Sequence, residues 1–353
     1  MLKPLLTAAL MAPLMARPVS LAISLAISLP ALAEADPAPP EAERAVQEHI
    51  LPGFSALADS TARLSDMAAQ NCDPAEPALR SAWGAAFDDW IEVSHLRFGP
   101  TETENRAFAM GFWPDGRSKT PKSLTRLIAD QDPIITTPEG IASLSIAARG
   151  FYALEYLLYD ARYQENTGYA CALTQALSAD LAATAGAMAR DWANSYAQLM
   201  LTPGSEYSPY QSADEVRQEL FKALATGLQF TSDTRLGRPL GTFDKPRPKR
   251  AEAWRSGRAL HHVIVSLQTL RALALILSEN DDRLSADVAR AFDQALAQAL
   301  ALEDPVFAGV DDPAQRLKIE ILKQTIDTIR EQQLANIGAK LGVAAGFNAL
   351  DGD

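Results

Sequence analysis

The stretch AEAWRSGRALHHVIVSLQTLRALALIL, Ala251 to Leu277, decides the fold. Its apolar residues Trp254, Leu260, Val263, Ile264, Leu267, Leu270, Ala274 and Leu277 recur mostly at steps of three and four, as on a helix with one buried face. Val216, Leu220, Ala223, Leu224 and Leu228 repeat the pattern upstream. Strand-like alternation bounded by turn residues is missing from the sequence, so the chain reads as all-α. The periodicity predicts helices near 40–70 (bent at Pro52), 76–97, 119–130, 139–160, 168–201, 212–231, 250–278, 283–301 and 313–337. LTPGSEYSPYQS, Leu201 to Ser212, breaks it with proline, glycine and serine, which predicts two helical bundles, one on each side, 38–205 and 206–353. No fixed short period recurs, which excludes a solenoid.

The N-terminus has another character. Pro18 to Ala33, PVSLAISLAISLPALA, is uncharged, follows Arg17 and closes on Ala31-Leu32-Ala33, so residues 1–33 are expected to be a signal peptide cleaved near Ala33. Met15-Ala16-Arg17 offers a second compact start. The apolar run is shorter than the roughly 20 residues that span a bilayer, and no transmembrane segment is expected after cleavage. Export to the periplasm or cell envelope would place Cys72 and Cys171 where thiols oxidise, so a disulfide is expected. Two free buried thiols are the alternative that spacing leaves open. The net charge of −12 becomes −14 without the leader, which carries Lys3 and Arg17 and no acid. Such acidity excludes a general nucleic-acid binder.

Within 139–160, IASLSIAARGFYALEYLLY (Ile141 to Tyr159) is apolar on nearly every face, and only Arg149 and Glu155 carry charge. A buried carboxylate is costly without a partner, so Glu155 needs a metal, a cation, a proton or an arginine from the other bundle. Tyr152 lies one turn earlier on the same face. Asp88, Glu92 and His95 form a second polar stripe, whose Glu-x-x-His spacing can aim a carboxylate and an imidazole at one metal ion; a solvated helix face gives the same spacing. His261 and His262 diverge by about 100° on a helix, one for the surface and one for the core. His49 carries no signal. RLGRPLGTFDKPRPKRAEAWRSGR, Arg235 to Arg258, holds eight basic residues and three prolines, a stiff loop suited to a carboxylate or phosphate partner, or else to helix C-termini and acids of the other bundle. No His-Glu-x-x-His, Gly-x-Ser-x-Gly, P-loop or dinucleotide fingerprint occurs.

HLRFGP (His95 to Pro100), FWPD (Phe112 to Asp115), GFYALEYLLYD (Gly150 to Asp160), the Arg235–Arg258 run and GFNALDGD (Gly346 to Asp353) together resemble the imelysin-like family of bacterial envelope proteins. The resemblance implies two facing helical bundles with the functional site at their interface, a periplasmic or outer-membrane location and a link to iron acquisition. Members were first described as peptidases, and related members serve in iron or other metal uptake. Of the family motif Gly-x-His-x-x-Glu, Gly150 and Glu155 match, while Tyr152 stands where the histidine belongs. A phenol of pKa about 10 binds only a strongly acidic cation such as ferric iron, so zinc is the weaker expectation. The expectation is thus a non-enzymatic component of iron uptake that binds a metal ion or metal chelate and works with envelope iron-transport proteins. Glu155, Tyr152, His95 and Glu92 are the expected metal ligands, and Arg247, Arg250, Asp244 and Arg97 the expected ligand contacts. One alternative is a metallopeptidase with Glu155 as base and zinc on His95 and Glu92; another is a scaffold whose buried charges only pair with one another.

Overall fold

The computed structural model describes residues 38–164 and 168–343, which are built of helices and carry one isolated antiparallel bridge, Thr242 to Lys245, and no strand. The leader expected over 1–33 and the terminal GFNALDGD segment, 346–353, lie outside the described residues. Nine main helices among the described residues carry the fold: α1 (40–70), α2 (Pro77–Val93), α3 (Lys119–Asp130), α4 (Gly150–Tyr159), α5 (168–201), α6 (213–240), α7 (Ala259–Ser278), α8 (Asp282–Leu300) and α9 (313–341).

Their starts follow from local chemistry. Asp281 caps α8 by accepting from the Leu284 amide at 2.9 Å, and Asp312 caps α9 through the Ala314 and Gln315 amides at 3.0 and 2.9 Å. Pro77 and Pro313 occupy first-turn positions where no amide is needed. Helices α1, α5, α6 and α9 each contain a wider π-type stretch: Ala45–Ile50, Trp192–Tyr196, Phe230–Leu236 and Ile329–Gln333. The one in α1 lies just ahead of Pro52, which lacks an amide and crowds the carbonyl four residues back, and the helix runs on through it.

Two expected helices are corrected. The 139–160 segment is broken into Pro138–Ser143, a turn at Ile146–Ala148 and α4. Gly150 makes the last break, with φ +79° and so little room that a Cβ would come 2.3 Å from the Met110 carbonyl oxygen. The 250–278 segment becomes helical only at Ala259, because 251–258 form a turn with Gly257 at φ +76°. That turn is driven into the protein: Ala251, Glu252 and Ala253 are each 2% exposed.

The described residues, 38–164 and 168–343, form one compact unit. Helix α2 packs against α1, α4 and α7, and Phe87 is its keystone, stacked 4.7 Å from Phe151 of α4 and edge-on to His262 of α7 at 4.5 Å. Helix α7 is long and apolar enough to cross a membrane by composition, but most of it is buried in this core. Cys72 and Cys171 are joined in a disulfide with Cα atoms 5.3 Å apart, tying the end of α1 to the start of α5.

Candidate functional site

Glu252, in the buried 251–258 turn, gathers partners from three helices. The Tyr152 hydroxyl of α4 donates to Oε1, Arg235 Nε of α6 donates to Oε2 at 2.7 Å, and His262 Nδ1 of α7 lies 3.2 Å from Oε2. An ionised carboxylate can only accept, so His262 carries its proton on Nδ1 and its Nε2 accepts from Arg258 Nε at 3.4 Å. Arg258 in turn pairs with Asp88 of α2, which also meets His261 Nε2 at 3.0 Å. Gly84 makes room for this, since a Cβ there would lie 2.9 Å from Arg258 Nη1.

The electrostatics follow from burial. Desolvation pushes the Glu252 carboxyl up, but the Arg235 charge and then the His262 hydrogen bond outweigh it and bring the pKa down to about 2. Burial lowers His262 and keeps its imidazole neutral. Burial, followed by the Glu252 charge, raises the Tyr152 phenol, so Tyr152 remains a protonated donor.

One turn along α4, Glu155 is 2% exposed and its Oε1 accepts from both the amide and the hydroxyl of Ser256 at 3.0 Å. Burial raises its pKa against the pull of the Ser256 and Arg255 neighbours. Both polar residues of α4 therefore grip the same turn, Tyr152 through Glu252 and Glu155 through Ser256. Arg255 is anchored on Asp160 at 3.1 Å and lies 3.8 Å over the Tyr156 ring.

Two cavities flank this junction and share a wall, Tyr152 with Trp113, their rings 6.2 Å apart. The first, about 290 Å³, is lined by Trp90, Phe108, Phe230 and His95, with the buried Arg235 and Glu252 in its wall. The second, about 300 Å³, is lined by Glu155, Asp115, Arg238, Lys249, Arg250 and Arg255. A larger open groove of about 830 Å³ lies along α5, where Arg106 with Asp191 and Arg149 with Asp180 are already paired.

The expected ligands are thus distributed. Tyr152 reaches both cavities, Glu155 the second and His95 the first. His95 is buried, with Nε2 3.0 Å from His49 Nε2 and a buried Nδ1 that finds no partner; burial holds both rings low in pKa, His49 at about 4. Glu92 is exposed, and its carbonyl accepts from Thr269 at 2.9 Å. Among the described residues no three His, Cys, Asp or Glu side chains are grouped to hold a metal ion. Arg250 lines the second cavity and Arg97 the first, where Arg97 also pairs with Glu102; Arg247 and Asp244 are exposed and line neither. His262 is the core histidine and His261 the surface one, their side chains 0% and 48% exposed. Glu252 and Ser256 are not among the residues expected from the sequence, and Arg235 figured there only as one of the eight cations of the basic run. The available signal was that Glu252 is the one acid between Asp244 and Glu279, set among basic residues.

Residues 50–333 match the sequence model of a family described as imelysin, peptidase M75. The chain is 24% identical over 225 residues to Iron-regulated protein A of Synechococcus elongatus, a match covering 61% of this chain and only 58% of that relative's length. Its fold resembles the crystal structure of an imelysin-like protein from Psychrobacter arcticum, with a TM-score of 0.71 at 18% identity, over 89% of this chain and 99% of the other. A protein of Parabacteroides distasonis solved as an iron-regulated protein A precursor gives the same TM-score at 13% identity, over 85% and 94%.

Proposed function

This chain belongs to the imelysin family, and from that membership we propose that it is an exported, non-enzymatic component of iron acquisition that binds its ligand where α4 meets the 251–258 turn. The observation that carries the reading is the junction itself. Tyr152 and Glu155 each clasp the turn, and both face cavities of a size suited to a small ligand. The iron link rests on the relatives called iron-regulated protein A. Export is supported by the apolar leader before Ala33 and by the Cys72–Cys171 disulfide, a bond at home outside the cytoplasm. A peptidase role is disfavoured by the chemistry of the motif: Tyr152 replaces the histidine and donates its proton to Glu252, while Glu155 is engaged by Ser256.

Deleting the gene and following growth and iron uptake tests the proposal. The deletion should slow growth only when iron is withheld by a chelator, and the wild-type chain should restore it. Equal growth of deletion and parent under chelation would end the iron reading.

A further inference from the structure

The second cavity is basic although the protein as a whole is acidic. Arg238, Lys249, Arg250 and Arg255 line it, against the carboxylates of Asp115 and Glu155. Those two acids are already committed: Asp115 accepts from the Lys119 and Thr120 amides at 2.9 and 2.8 Å, and Glu155 accepts twice from Ser256. Arg255 is spent on Asp160 and the Tyr156 ring. Arg238, Lys249 and Arg250 make no ion pair with any described residue.

Arg238 is the telling one. Its Nε is buried and has no hydrogen-bond partner, and its guanidinium sits 5.8 Å from the centre of the Trp113 ring. Burial and the like charge of Arg250 both work against its protonated form. A buried donor left unpaired costs free energy that an incoming acceptor recovers. The turn that presents Lys249 and Arg250 is pinned by backbone bonds from Arg247 to Pro239 at 2.8 Å and from Arg250 to Arg247 at 2.8 Å, so both cations are held over the cavity before any ligand arrives.

From this geometry we infer that the second cavity is an anion site whose ligand is a compact polycarboxylate, Arg238 and Arg250 pairing with its carboxylates beside Trp113. A bare cation is badly received there, facing four positive side chains and a protonated Tyr152 phenol whose hydrogen bond is already donated to Glu252. Ferric iron is a hard cation that prefers oxygen donors, and wrapped in carboxylates it carries net negative charge, which suits the cavity. The identification of the cargo as iron rests on the function proposed above; the anion site does not.

Isothermal titration of the purified mature protein with citrate, ferric citrate and ferrous sulfate tests the inference, at low and at high sodium chloride. Citrate and ferric citrate should both bind, and more weakly at high salt because the cations at the cavity mouth are screened. Arg250→Gln, on an exposed turn, and Arg238→Met should each weaken binding about tenfold or more, the loss of one charge-assisted bond. Wild-type protein that binds neither citrate nor ferric citrate, or that binds ferrous ion alone, overturns the inference. So does Arg250→Gln binding as tightly as wild type while melting at the same temperature. If citrate binds through these arginines but the gene deletion has no iron phenotype, the anion site stands and the iron role falls. If the deletion starves for iron and the arginine variants restore it fully, the reverse holds.

Discussion

Replacing Glu252 with alanine should be among the most damaging single changes in the protein. Glu252 and Arg235 are 2% and 4% exposed and joined at 2.7 Å, so the variant leaves a guanidinium buried without its counter-charge. Breaking a buried pair from one side costs about 3–5 kcal/mol. The same pairing has a signature in pH: with Arg235 and then His262 outweighing burial, the Glu252 carboxyl is held down at about 2, below its ordinary 4.5, so its charge stabilises the folded state. Because the folded value is the lower one, this stability is present above pH 4.5 and drains away as the pH falls toward 2. Urea unfolding at pH 7 should therefore show a loss of about 3–5 kcal/mol for Glu252→Ala, with a melting temperature lower by on the order of 10 °C. The double variant Glu252→Leu with Arg235→Met should lose far less than the two single losses added, because both charges leave together. A single variant within about 1 kcal/mol of wild type, or a double variant whose loss equals the sum, would refute the claim that this pair organises the junction.

Other outcomes follow from features already described. Gly150→Ala forces a side chain into φ +79° and against the Met110 carbonyl, and should cost more than about 1 kcal/mol by urea unfolding while misplacing Tyr152 and Glu155. Reducing the Cys72–Cys171 bridge, which closes a separation of 99 residues, should cost about 4–5 kcal/mol by chain entropy, measured by unfolding with and without reductant. His49 is held at about 4, below its ordinary 6.5, so stability should decline as the pH drops through that window, and His49→Gln should flatten the decline in a melting series from neutral to acid.

The helical architecture was legible because apolar spacing is a local property: α3, α5 and α9 stand close to where periodicity put them. Failures came where one residue overrides the pattern. Gly150 and Gly257 each take a positive φ inside a stretch whose side chains still read as helical, and both are needed to bring the site together. The site was half legible. Glu155 and Tyr152 announced themselves as polar groups in an apolar helix, but their partners could not, since Tyr152 meets Glu252 across 100 positions and Glu155 meets Ser256 across 101. Arg235 and Arg250 looked alike in a basic run. Only the packing of α6 distinguishes them, burying Arg235 as a structural counter-charge and leaving Arg250 in solvent at a cavity.

The π-type stretch that contains Arg235, Phe230–Leu236, has a consequence for how this protein compares with its kin. Such a stretch houses one residue more than an ordinary helix would in the same rise, and so turns everything beyond it by about 100° relative to what precedes it. Deleting a single residue there would restore regular winding and swing the downstream side chains, Arg238 among them, off their present faces. A relative with an uninterrupted helix at this point should therefore align with this chain through a one-residue gap, and its basic residues beyond the gap should not be equated by position alone with those that line the cavity here.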